Sequence, residues 1–344
     1  MTKTMTPKER LFNRLAGKPV DRMPNLNIVM LFAAQHCGYD YGPFCSDYRV
    51  LVDAMTRTAK DFKIDILSTM SDPFREASDY GAKVEIPQDD LPIMRDVLVH
   101  DLDEHDKIKA FDPVASKRMG DRIKAIRLFK EQDGDEYPIL GWIEGPWAEF
   151  TDLADITEAM MMIIDDPDAV CESLDVITDQ AIRCAEAQIE AGADVIGMGD
   201  AAASLISRKM YMEYIHPREK KIVEAIHRAG AYVKLHICGD INHIVADMID
   251  TGADIVDIDY MVNYDRAIEL SQGRCAISGH INPTATVYKG TPEENRQWVR
   301  YYAEHGNERT IVSSGCEIPR MTPEENVMAI ADEIQKIADE KNQE

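Results

Sequence analysis

The chain has 344 residues, 45% of them hydrophobic, long enough to bury one large core. It carries 62 acidic against 38 basic residues, a formal net charge of -24 spread along its whole length. This balance argues against nucleic acid or an anionic membrane as partner, because phosphate contacts need clustered Lys and Arg.

Seven cysteines, at 37, 45, 171, 184, 238, 275 and 316, form no dense framework. A chain of this size folds without disulfides, so a reducing cytoplasm is expected. The polar start, Met1 to Arg10, has no apolar stretch after it and does not read as a secretory signal. Apolar runs such as Ala159 to Ile164 are far too short to span a bilayer.

Thr6-Pro7-Lys8-Glu9 predicts a helix start, with a capping Thr, Pro at the first helical position and Glu three residues after the cap. That helix should run to Gly17, and a turn at Asp21 to Pro24 leads into a first strand over 25–31. A helix is expected over 47–62 and a brief strand over 64–68. Residues 80–112, with short apolar runs at 82–86 and 96–100, read as an irregular β-rich insertion. Helix then dominates 113–133, and Pro138 to Ile143 is a strand ending in the turn Glu144-Gly145-Pro146-Trp147. Helices fill about 149–190, with a break at Asp165-Asp166-Pro167.

Ala191-Gly-Ala-Asp-Val-Ile-Gly-Met-Gly-Asp200 has an echo at Thr251-Gly-Ala-Asp-Ile-Val-Asp-Ile-Asp259. Both read as a helix end, a Gly cap and a buried strand closing on Asp. Between them lies the strand Val233 to Ile237; two more strands follow at 274–278 and 310–314. Thr291-Pro-Glu-Glu294 and Thr322-Pro-Glu-Glu325 repeat the capped helix start. About eight short apolar strands separated by helices, with no linker-like segment, predict a single (β/α)8 barrel over 1–344. It would have an N-terminal helical extension and a small insertion after the second strand. No G-x-G-x-x-G follows the first strand and no Walker motif occurs, so no nucleotide cofactor is indicated.

The stretch Tyr232-Val-Lys-Leu-His236-Ile-Cys238-Gly-Asp240 stands out. Side chains alternate along a strand, so His236 and Cys238 project the same way from its end. An imidazole nitrogen and a thiolate together make half of a zinc site. The best third ligand is Cys316, which also follows a short apolar run and a glycine. Three protein ligands with an open position is the catalytic zinc pattern; the competing reading is three ordinary buried residues.

Several stretches together resemble the uroporphyrinogen decarboxylase superfamily over almost the whole chain. They are Thr6 to Arg10 with Gly17 to Pro24, Glu144 to Trp147, Leu205 to Tyr211 through His216-Pro217, the His236 segment, Gly279 to Pro283, and Gly315 to Pro319 with Thr322 to Asn326. Its members are (β/α)8 barrels. The His236-x-Cys238 pair with the late Cys316 is similar to the zinc motif of its corrinoid-linked methyltransferases, which include methylcobamide:coenzyme M enzymes and O-demethylase methyltransferases I. True decarboxylases resemble the chain less, since residues 25–45 hold no Arg or Lys for substrate carboxylates.

The resemblance implies zinc on His236, Cys238 and Cys316, and methyl transfer with a separate corrinoid protein, because no D-x-H-x-x-G cobalamin segment occurs here. The favoured direction is from a small methyl ether to Co(I). The alternatives are transfer from methyl-Co(III) to a thiol such as coenzyme M, a metal-free decarboxylase-like lyase, and a non-catalytic metal or corrinoid binder with a closed four-ligand shell. Superfamily members are often dimers, so a homodimer is also expected. Asp200, Glu144 and Asp259 are candidate catalytic acids, and Asp200 or Asp259 could instead hold a zinc ligand's second ring nitrogen. Glu317, beside Cys316, could reach the metal. His280, Asn282 and Tyr260 are candidate substrate-binding residues, with Met261 beside them. The remaining histidines and cysteines have no patterned partner and are expected to be structural.

Overall fold

The computed structural model describes residues 4–343. Among the described residues nine strands form: β1 Leu67–Ser68, β2 Lys83–Glu85, β3 Ile93–Asp96, β4 Ile139–Glu144, β5 Val195–Gly199, β6 Tyr232–Ile237, β7 Ile255–Ile258, β8 Ala276–Ile281 and β9 Ser313–Ser314. Seven of them pair in parallel in the order β1-β4-β5-β6-β7-β8-β9. Their residues are almost all buried, as strands covered on both faces require.

The ring closes through the segment after Pro24. Asn25 bridges Val312 in parallel, Leu26 N donates to Val312 O at 2.9 Å, and Asp65 N donates to Asn25 O at 2.8 Å. This segment holds the place of the first barrel strand without becoming one, contrary to the expectation of a strand over 25–31. Side chains replace the ladder there: Asn27 Oδ1 accepts Ser314 N at 2.8 Å, Asn27 Nδ2 donates to Asn25 Oδ1 at 2.7 Å, and Asp65 Oδ2 accepts Asn25 N at 2.8 Å. A helix, Met30–Cys37, then begins inside the predicted strand. The architecture is a (β/α)8 barrel with one irregular staff.

The N-terminal helix Pro7–Leu15 precedes the barrel and carries the predicted capping box between Thr6 and Glu9. Thr291 and Glu294 form the same box on helix Pro292–His305. Thr322 does not cap: its hydroxyl turns back to Pro319 O at 2.7 Å, and helix Glu324–Lys341 starts after Pro323 without a side-chain cap. The insertion after β1 contains an antiparallel hairpin of β2 and β3, with the second strand three residues earlier than its apolar run suggested. The helix predicted from residue 113 begins at Arg118. All seven cysteines are unpaired, and no helix among the described residues is long and apolar enough to cross a membrane.

Candidate metal centre

Three predicted ligands meet at the C-terminal end of the barrel. His236 is the penultimate residue of β6, and Cys238 follows the strand end. Cys316 follows β9, three staves further round the sheet, so the pair and the single cysteine reach toward each other across the mouth. The ligand atoms of His236, Cys238 and Cys316 all lie within 4.8 Å of one another. At zinc bond lengths of about 2.1–2.3 Å, tetrahedral ligand atoms sit roughly 3.5–3.8 Å apart, so a modest closing would seat the ion. One nitrogen and two sulfurs form the donor set zinc takes at catalytic sites, with a fourth position left for substrate.

The surrounding backbone explains why the triad forms. Gly239, at φ +91, turns the chain after Cys238, and its N–H donates to Asp259 Oδ2 at 2.7 Å. Asp259 Oδ1 accepts the N–H of Tyr260 at 2.6 Å. A side chain at Gly315 would place its Cβ 2.7 Å from Tyr260 N and 3.0 Å from Asp259 Oδ1, so only glycine lets the Cys316 loop come this close. Asp259 thus anchors the Cys238 loop, the Cys316 loop passes close beside it at Gly315, and its oxygens are committed to backbone.

The imidazole is held from behind by a residue that sequence reasoning passed over. Asp257, opposite His236 in the β6–β7 register, places Oδ2 2.8 Å from His236 Nδ1. With Nδ1 engaged, Nε2 is the nitrogen left for a metal. Burial alone would favour a neutral Asp257, yet the Lys234 ammonium and the His236 hydrogen bond hold it well below the usual carboxylate range. Burial likewise opposes a charged His236, but bonding to Asp257 and Cys316 lifts its pKa to about 9. Shared hydrogen bonding lowers Cys238 and, with burial, pushes Cys316 up to about 12. One thiolate therefore forms more readily than the second in the metal-free site.

Glu144 ends β4 beside this centre. Its Oε1 accepts Trp142 Nε1 at 2.8 Å, and the Trp142 ring centroid lies 6.4 Å from that of His236. Gly199 of β5 pairs with Glu144 on one side and His236 on the other, and a Cβ there would sit 2.6 Å from the Trp142 ring and 3.2 Å from Glu144 Oε2. The missing side chain opens the space between acid and ligand. Burial, reinforced by Glu76 and Asp152, raises the Glu144 pKa well above the usual value, so it is a neutral acid here.

The other candidates have different surroundings. Asp200 caps the helix Pro146–Ala154, accepting Ala148 N at 2.6 Å and Trp147 N at 3.4 Å, and burial raises its pKa to about 7. Glu317 accepts Leu31 N at 2.6 Å and so holds the start of the helix Met30–Cys37; burial raises it to about 8. His280 packs edge-on to Trp298 and among Tyr264, Tyr301 and Tyr302, rings of the helical layer, which gives it a packing environment away from the ligands. Asn282 caps the turn Pro283–Tyr288 through Thr284 N and Ala285 N. Tyr260 and Met261 are 40% and 50% exposed on the rim.

The profile of the family described as uroporphyrinogen decarboxylase (URO-D) matches residues 6–337. The chain belongs to this family. Within this uroporphyrinogen decarboxylase family, it is 29% identical over 339 residues to the methylcobamide:CoM methyltransferase MtbA of Methanosarcina mazei, covering 95% of this chain and 97% of that one. It is 30% identical over 211 residues to the methylcobamide:CoM methyltransferase MtaA of Methanosarcina barkeri, covering 60% and 61%. Similarity to the uroporphyrinogen decarboxylase of Chlorobaculum parvum, 31% over 193 residues, spans 54% of each chain. The full-length match falls in the corrinoid methyltransferase branch. A solved methyltransferase from Methanosarcina mazei shares the fold, with a TM-score of 0.88 over 97% of this chain and 99% of that one at 23% identity.

Proposed function

We propose that this protein is a zinc-dependent methyltransferase that passes a methyl group from a small methyl ether to the Co(I) of a separate corrinoid protein. The observation that carries the reading is the convergence of His236, Cys238 and Cys316 at the barrel mouth, with His236 Nδ1 already engaged by Asp257. When bound there, zinc supplies a Lewis acid for the oxygen or sulfur of the substrate. Asp259 anchors the Cys238 loop, and the bare Gly315 lets the Cys316 loop approach it. Glu144, held neutral by burial, would give its proton to the oxygen released as the methyl–oxygen bond breaks. Tyr260, Met261, Leu205 and Met321, all exposed in segments that follow barrel strands, line the rim a partner would approach.

Buried cations toward this end of the barrel are paired: Lys234 with Asp257, Arg75 with Asp121, Arg118 with Asp72, and Arg122 with Glu76. This suits a neutral substrate and supports the ether direction. The reverse direction, from methyl-Co(III) to a thiol, is favoured by the names of the full-length relatives. Both are tested by mixing the zinc-loaded chain with a Co(I) corrinoid protein and methoxybenzenes, and with a methyl-Co(III) corrinoid protein and 2-mercaptoethanesulfonate, following the cobalt spectrum. Methylation of Co(I) that fails with Cys238→Ser/Cys316→Ser supports the proposal. Turnover only with the thiol selects the second reading. Activity in neither mixture, or equal activity in the double variant, sinks both.

A further inference from the structure

Lys234 lies two residues before His236 on β6, so both side chains enter the barrel from the same face. It is 2% exposed, beside a small apolar cavity lined by Leu26, Met70, Leu140 and Trp142. A buried ammonium here is expensive, and an aliphatic residue would fill the space without that cost. Its nitrogen lies 2.5 Å from Asp257 Oδ2, the same oxygen that lies 2.8 Å from His236 Nδ1. Among the described residues Asp257 Oδ1 has no partner, and neither does the hydroxyl of Ser278, opposite Asp257 in the β7–β8 register. The carboxylate is therefore oriented through one oxygen alone, and Lys234 is the only group besides the histidine that grips it among the described residues.

We infer that Lys234 is a positioning residue for the metal-binding histidine: it fixes the Asp257 carboxylate, which fixes the imidazole plane so that Nε2 faces the two sulfurs. The inference rests on the zinc reading above. A purely charge-balancing lysine would neutralise Asp257 without affecting how His236 meets a metal, and the two roles separate experimentally.

The test uses Co(II) as a spectroscopic stand-in for zinc on the full chain. Lys234→Met keeps the aliphatic stem and removes the grip. Cobalt should then bind about 10–100-fold more weakly, the range for losing a partner of a metal-bound histidine, while sulfur-to-cobalt absorption persists at saturation. In a His236→Ala background the same substitution should change the affinity by no more than about twofold, because its route of action is gone. Lys234→Met/Asp257→Asn removes both charges and guards against a fold lost to an unpaired carboxylate. It should recover thermal stability and still bind cobalt at least about 10-fold more weakly than the parent. Unchanged affinity in Lys234→Met, an equal loss in the His236→Ala background, or full recovery in the neutral pair would overturn the inference. A parent chain that binds neither cobalt nor zinc would instead remove the zinc reading on which it stands.

Discussion

Asp259 offers a sharp test of how the site is built, because catalyst and scaffold predict different outcomes. Its carboxylate accepts two short backbone bonds, from Gly239 N at 2.7 Å and from Tyr260 N at 2.6 Å. Asp259→Asn keeps the shape but has one acceptor, and its amide N–H₂ must face one of the two donors. Losing a charge-assisted hydrogen bond in a buried setting costs about 1.5–3 kcal/mol. If the Gly239 bond is lost, the Cys238 loop is released, and the same energy appears in metal affinity as roughly a 10–150-fold weaker zinc Kd, at 1.36 kcal/mol per decade. Chelator competition reads the affinity and urea unfolding reads the stability. A proton donor would leave both intact and lower turnover alone. Asp259→Asn with parental zinc affinity and stability would refute the assignment of Asp259 as the anchor of the Cys238 loop.

Glu149 is 2% exposed, neither carboxylate oxygen has a partner among the described residues, and burial with Glu76 and Asp152 raises its pKa well above the usual value. The folded state then holds a proton that the unfolded state releases above about pH 4.3, so stability falls as pH rises through neutrality. Glu149→Gln should gain stability relative to the parent between pH 5 and pH 8 in paired urea titrations, and a pH-independent difference would contradict this. Gly279 sits at φ +94, and a Cβ there would lie 1.9 Å from Ile258 O. Gly279→Ala should therefore lose at least about 3 kcal/mol or fail to accumulate as folded protein, and a parental melting curve would contradict this. His280→Ala should cost about 2–4 kcal/mol of packing in the Tyr264–Trp298–Tyr302 cluster and leave zinc affinity at the parental value, measured by the same chelator competition.

The barrel was legible because its later staves are short, buried apolar runs, each following a glycine-capped helix or a capped turn. Strand alternation was enough to pair His236 with Cys238. The same alternation places Asp257 and Asp259 on one face of β7, but it does not say which lies level with the imidazole. That depends on the β6–β7 register, which pairs His236 with Asp257 and leaves Asp259 at the loop. Parity also fails after β8 begins to bend: Gly279 and His280 both have positive φ, +94 and +87, so counting faces through them misplaces the histidine. The first staff escaped because Asn25, Asn27 and Asp65 supply through side chains the bonds that a backbone ladder would make. Thr322 shows the limit of a four-residue cap signature, since its hydroxyl found a nearer carbonyl.

Everything proposed for the barrel mouth stands on a metal held by His236, Cys238 and Cys316. The most direct measurement is metal content by mass spectrometry on freshly purified protein, made without added metal, for the parent and for Cys316→Ala. About one zinc per chain is expected in the parent and its loss in the variant, with the variant's circular dichroism unchanged. A folded parent chain carrying no zinc, or a Cys316→Ala variant that retains it in full, would contradict the three-ligand site and the methyl-transfer chemistry built on it.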